Sequence, residues 1–150
     1  MMSVLPILLL LGVLMIASVQ GSPDYFEQVY KNHKYLISKH MEGFNLEKMN
    51  NRCKQLGGYL VQIDNKMEMS FLVRFWSAAR SGGPVFTGIT DEGSEGRFYN
   101  YNDKTPAKYL KWRWFQPDNW WGENCVELAG YRFNDKGCEL TEKYICEIPL

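Results

Sequence analysis

The chain has 150 residues, the size of one domain, and 15% of them are aromatic, with 5 Trp and 9 Tyr. Lysine plus arginine and aspartate plus glutamate balance at 17 each, so there is no net positive field to draw nucleic acid or an acidic membrane. Neither is an expected partner.

The first segment, MMSVLPILLLLGVLMIASVQG, carries an uncharged apolar run from Val4 to Ile16 that gives way to small and polar residues. Residues 1–21 read as a secretory signal peptide cleaved after Gly21, with Val19 and Gly21 at the cleavage-site positions. The n-region departs from the usual pattern in having no Lys or Arg. A retained membrane anchor is the rival reading, but the run falls short of the roughly 20 apolar residues a bilayer span needs. A secreted, extracellular chain without a membrane anchor is expected, with residues 22–32 as a short N-terminal segment. Cys53, Cys125, Cys138 and Cys146 all lie beyond the signal. An even count in a small exported chain predicts two disulfides, and spacing alone leaves the pairing open. Thiolate metal binding is disfavoured, since no CxxC pair exists.

DYFEQVYKNHKYLISK alternates apolar and polar residues in its second half and predicts one or two early strands. Asn45 then caps a helix whose Leu46, Met49, Cys53 and Leu56 recur at helical spacing, stopped by Gly57-Gly58 and followed by a strand. A second helix starts at Asp64 or Asn65, faces inward with Phe71, Leu72, Phe75 and Ala79, and ends at Gly82-Gly83-Pro84. PVFTGIT reads as a short buried strand. The stretch from Asp91 to Asn124 is long, polar and turn-rich, and a loop of that length in a compact domain commonly carries function. Within it Trp112 and Trp114 alternate with Lys111 and Arg113, predicting a strand with Trp inward and the bases in water. CVELAG, YRFND and KYICEI close the chain as strands, with turns at Gly130 and Gly137. The class is α+β.

The chemistry concentrates in WFQPDNWWGENCVEL and RFNDKGC. Gln116, Asp118, Glu123, Asn134 and Asp135 offer hard oxygen ligands. Calcium takes about six to eight oxygens, so five side chains and a main-chain carbonyl leave one or two positions open. A cis Gln116-Pro117 bond would turn the chain and set both neighbouring side chains on one ion. Loop Asp, Asn and Gln are otherwise ordinary solvated turn formers. His33 and His40 read as surface residues. No HExxH or GxSxG motif occurs, and two disulfides would leave no thiol nucleophile, so an enzyme is not expected.

On these motifs the stretch from His33 to Leu150 resembles a C-type lectin domain. FTGITDEGSEGRF is similar to the family's core strand motif, with Phe86 and Thr87 where Trp and Ile are usual. QPD at 116–118, ENC at 123–125 and FND at 133–135 match its ligand motifs, and all four cysteines fall at its positions. The resemblance implies disulfides Cys53–Cys146 and Cys125–Cys138, a cis Pro117, and two helices flanking small antiparallel sheets under a long loop region. It implies calcium held by Gln116, Asp118, Glu123, Asn134 and Asp135, with two vicinal sugar hydroxyls on the open positions. Gln116, Asp118, Glu123 and Asn134 would hydrogen-bond those hydroxyls.

In the family the Gln-Pro-Asp order goes with galactose and Glu-Pro-Asn with mannose. The implied partners are therefore glycans ending in galactose or N-acetylgalactosamine, with Trp120 stacked on the apolar sugar face. The glycine-rich insertion that positions that ring in galactose binders is missing. Phe133 stands where Trp is usual. Asp91, Glu95, Asn119 and Asn124 correspond to a second calcium site that shares Glu123, expected to be weak because Asn119 and Asn124 are neutral. The alternative is a calcium-independent lectin-like domain that binds protein or another surface. One site per chain implies weak monovalent binding, and the sequence shows no oligomerising stalk.

Overall fold

The computed structural model describes residues 24–42 and 45–150; the expected signal peptide lies outside them. Strands β1 (Tyr25–Tyr30) and β2 (His33–Ser38) form a hairpin in full register, from Tyr25 opposite Ser38 to Tyr30 opposite His33. Within the segment expected at 22–32, Tyr25–Tyr30 thus contributes a strand to the same sheet as the rest of the described residues. Helix α1 (Leu46–Gln55) begins at Asn45, whose side chain accepts the Lys48 N–H at 3.0 Å. Helix α2 (Lys66–Ala78) begins at Asn65, which accepts from Met67 and Glu68. Between them lies β3 (Tyr59–Leu60). Then come β4 (Val85–Thr90), β5 (Tyr99–Asn100), β6 (Cys125–Ala129), β7 (Arg132–Lys136) and β8 (Lys143–Pro149).

The strands join into one sheet in the order β1-β2-β8-β4-β6-β7, with β3 on β8 and β5 on β4. The β4–β8 pairing is parallel and all others are antiparallel. The small antiparallel sheets of the expectation are therefore fused into one mixed sheet.

Strand alternation explains why the chain needs two helices. On β8, Tyr144 and Cys146 join Leu46, Met49 and Cys53 of α1, whereas Ile145 between them joins Leu72 and Phe75 of α2. Val85 and Phe86 divide the same way on β4. Successive side chains point to opposite faces, so each helix covers one face. All six residues of β4 are buried as a result. Gly88 lies in that strand because a Cβ there would come within 2.7 Å of the Leu60 carbonyl oxygen.

Both disulfides form as the resemblance implied. Cys53–Cys146 ties α1 to β8, and Cys125–Cys138 ties the start of β6 to the residues after β7. Among the described residues, no helix is long and apolar enough to cross a membrane.

Two side-chain placements differ from expectation. Leu56 is not on the buried stripe of α1: it is the C-cap, is exposed, and is followed by Gly57 at φ 88°. Trp112 does face inward, against Phe98 and Phe133, but Trp114 is 82% exposed. The alternation fails because Gln116 N–H bonds back to the Arg113 carbonyl, turning the chain at Trp114.

Candidate functional site

Strand β7 holds the loop that carries the oxygen donors. Phe133 makes main-chain hydrogen bonds with both Lys111 and Arg113 at 2.8 Å, and its buried ring meets Trp112 edge-on. Three residues on, the Gln116-Pro117 bond is cis. The returning chain is caught by Asp135, which is fully buried. Its Oδ1 accepts the Asp118 N–H at 3.2 Å and its Oδ2 the Asn119 N–H at 2.7 Å. One carboxylate therefore fixes the two residues after the proline, and its remaining lone pairs stay available.

These contacts assemble the oxygens. Carboxylate atoms of Asp118, Glu123 and Asp135 lie within 4.8 Å of one another. Gln116 Nε2 donates to Asp118 Oδ2 at 3.1 Å, while Gln116 Oε1 is buried with no partner. Asn134 Nδ2 donates to Glu127 Oε1 at 2.9 Å and to the Asp135 carbonyl at 2.7 Å, so both bonds run through nitrogen and leave Oδ1 to act as a ligand. All five expected ligands thus come from one loop and one adjoining strand.

The electrostatics agree with an ion site. Burial first, then the charges of Asp135 and Asp118, raise the Glu123 carboxyl above its ordinary range, with Lys136 opposing them. Carboxylates that raise one another are relieved by a cation. An orphaned amide oxygen beside three carboxylates is the donor chemistry of a hard divalent ion, so the residues present fit calcium. Trp120, 67% exposed, stands at the rim with its N–H on Asp118 Oδ1.

The expected second set is partly gathered. Asp91 is buried, accepts the Gly96 N–H through Oδ2 at 2.8 Å, and leaves Oδ1 buried without a partner. Glu95 lies close to both Asp91 and Asn119, and its carboxyl is raised, by loss of water and then by the Asp91 charge, with Asn119 opposing. Asn124 bonds through its main-chain carbonyl, to Thr90 Oγ1 and to the Asp91 N–H. A nearby cavity of about 560 Å³, lined by Arg97, Phe98, Tyr99, Lys104 and Pro106, shares no residue with the oxygen cluster.

Two acids absent from the sequence expectation support Asn134. Glu127 on β6 is buried and accepts its amide. Burial, then the hydrogen bond and charge of Glu127, push the Glu142 carboxyl up to about 8. Glu142 is thereby biased toward its neutral form beside Glu127. The signal was visible in the inward position of Glu127 within CVELAG, where a core strand has no use for a carboxylate unless it is paired.

Two turns in this loop are unusual. Arg113–Gln116 and Asn119–Gly122 each close by a main-chain hydrogen bond, at 3.2 and 3.1 Å. Phe115 at φ 63° and Trp121 at φ 59° fill their third positions, which normally take Gly or Asn. Such backbone costs about 1–3 kcal/mol per residue.

Residues 42–148 match the family profile described as the Lectin C-type domain. The human "C-type lectin domain family 4 member D" is 32% identical over 103 residues, 65% of this chain and 46% of that protein. The chain therefore spans about half the length of that relative. The "Perlucin-like protein" of Mytilus galloprovincialis is 30% identical over 122 residues, covering 78% of this chain and 77% of its own. Among solved structures, the human scavenger receptor C-type lectin carbohydrate-recognition domain superposes with a TM-score of 0.74 at 26% identity, covering 85% of this chain and 98% of that one. By motif, disulfide pattern, sheet order and these matches, the chain belongs to the C-type lectin domain family.

Proposed function

We propose that the chain is an extracellular lectin that binds carbohydrate through one calcium ion held by Gln116, Asp118, Glu123, Asn134 and Asp135. The observation that carries this is the unpartnered, buried Gln116 Oε1 beside three carboxylates within 4.8 Å of one another. Calcium bound there supplies open coordination positions for two neighbouring hydroxyls of one sugar ring. The side chains do the rest. Asp118 and Glu123 accept hydrogen bonds from those hydroxyls, and the Gln116 amide, with one N–H left over from its bond to Asp118, donates to them, while Asn134 contributes its Oδ1 to the ion. Bonds to ionised acceptors are stronger than neutral ones, so the two carboxylates dominate.

The order of donor and acceptor around Pro117 favours terminal galactose or N-acetylgalactosamine. Trp120 supports this, because its largely exposed indole can stack on an apolar sugar face and exclude water. A weaker second ion, on Asp91, Glu95, Asn119 and Asn124 together with Glu123, is consistent with the unpartnered Asp91 Oδ1. Export is supported by the signal-like first 21 residues and by two disulfides, which persist in oxidising compartments.

The test is retention of the chain on immobilised galactose in calcium and its release by a chelator. Retention that ignores the chelator, or no retention at all, supports instead a calcium-independent domain that binds protein or another surface. Better competition by mannose than by galactose overturns the specificity alone.

A further inference from the structure

We propose that the two aromatic turns, Arg113–Gln116 and Asn119–Gly122, form a docking tip for the interface of a zwitterionic lipid bilayer. In each turn both corner residues are aromatic: Trp114 and Phe115 in the first, Trp120 and Trp121 in the second. They are 82%, 90%, 67% and 92% exposed. In each, the third position is left-handed and bulky, Phe115 or Trp121, where a glycine would relieve the backbone. That strain returns nothing to the fold, because these are the two most exposed of the four rings. Strain that no packing recovers marks a surface kept for a partner. Exposed rings clustered along one short loop mark an interaction site rather than the scattered exposure usual for a surface.

The shape and chemistry favour a bilayer. Turn corners project, whereas small-molecule sites are concave. Trp is enriched at the membrane–water boundary, where its ring sits at headgroup depth. The flank supplies the matching charge. Lys111 and Arg113 are exposed directly before the first turn, and Arg132 donates to the Trp112 carbonyl at 3.2 Å, which places a further cation beside the loop. Three cations around an aromatic tip complement lipid phosphates. The balanced charge of the whole chain, 17 of each sign, points to zwitterionic rather than acidic lipid. Docking of this kind is peripheral and reversible; Trp120 is shared with the proposed sugar site, whereas Trp114, Phe115 and Trp121 lie outside it.

The experiment is co-sedimentation of the chain with phosphatidylcholine vesicles that carry no sugar, read together with tryptophan emission. The chain is expected to pellet with the vesicles and its emission to shift to the blue. A variant with Trp114→Ser, Phe115→Asn and Trp121→Asn replaces exposed rings only, and Asn tolerates the left-handed backbone. It should keep the wild-type circular dichroism spectrum and galactose retention. It should lose partitioning by about a thousandfold, at roughly tenfold for each of the three rings withdrawn from water. Quenching of wild-type emission by brominated lipid gives a reading that needs no variant. No pelleting and no shift at any lipid concentration overturns the proposal, as does a folded triple variant that partitions like wild type. Concentration-dependent self-association abolished by the same substitutions, without vesicle binding, overturns it in favour of a protein interface. Because the vesicles lack sugar, failure here is separable from failure of galactose binding.

Discussion

In the proposed reading, specificity turns on Gln116 and Asp118. Their side chains hydrogen-bond each other across the cis proline, amide nitrogen to carboxylate oxygen, which orients one donor and one acceptor toward the same place. Exchanging them, with Gln116→Glu and Asp118→Asn, keeps the ligand oxygens and the charge but swaps the sides of donor and acceptor. Competition assays on that double variant should show mannose overtaking galactose, and an unaltered sugar profile would contradict the role given to the pair. Glu127 acts at one remove by holding the Asn134 amide. Glu127→Leu should leave the strand folded while weakening calcium about 10- to 100-fold, the usual cost of losing a ligand's hydrogen-bonding support. Calorimetry that finds wild-type affinity in that variant would make Glu127 a structural acid only. The candidate ligands Gln116, Asp118, Glu123, Asn134 and Asp135 stand out in the sequence, because oxygen donors bunched among aromatics suit neither core nor plain loop, and the fold gathers the carboxylates of three of them. Glu127 was legible only as an acid that must be paired, because its partner is known only once its neighbour across the sheet is known.

The elements that carry the site are β6 and β7, stapled by Cys125–Cys138, whose cysteines are separated by 13 positions. Closing a loop of that size is worth about 3 kcal/mol in the chain-entropy model. Glu142, on the approach to β8, couples this region to pH. Its carboxyl is raised from an ordinary 4.5 to about 8. Below the ordinary value both folded and unfolded chains hold the proton. Between 4.5 and about 8 the unfolded chain ionises while the folded chain must keep the proton, so this contribution to stability is fully present below 4.5, falls across that window and is lost above about 8. Glu142→Gln should therefore match wild type in melting temperature at pH 4 and exceed it at pH 9; a variant that melts lower than wild type at pH 9 would contradict the shift. The helices were legible at this scale because Asn45 and Asn65 cap apolar stripes of the right period. The Trp112–Trp114 alternation misled because strand periodicity cannot register a turn, and the Arg113–Gln116 hydrogen bond reverses the chain after one inward ring. Leu56 misled for a related reason: its N–H bonds to Cys53 and Gly57 follows at positive φ, so the last apolar residue of the stripe falls past the helix end.

For the molecule as a whole, the sheet does two jobs. Its centre, β8 and β4, is covered by a helix on each face and forms the core. Its far edge, β7, is left to hold the loop that presents the oxygens. Cys53–Cys146, whose cysteines are separated by 93 positions, ties α1 to the central strand. Closing a loop of that length is worth nearer 4 to 5 kcal/mol in the same model. The α+β class could be read from the order of the elements. The parallel β4–β8 pairing could not, because it joins strands more than 50 residues apart in sequence and no local pattern encodes it. In the proposed function, sugar recognition belongs to ion and side chains together, so the two ligands must be energetically linked, each tightening the other by the same factor. The direct measurement is a calorimetric titration of the mature chain with calcium, repeated in saturating galactose. Calcium should bind in both, and galactose should tighten it about fivefold or more. Identical calcium isotherms with and without the sugar, or no calcium binding at all, would contradict the account.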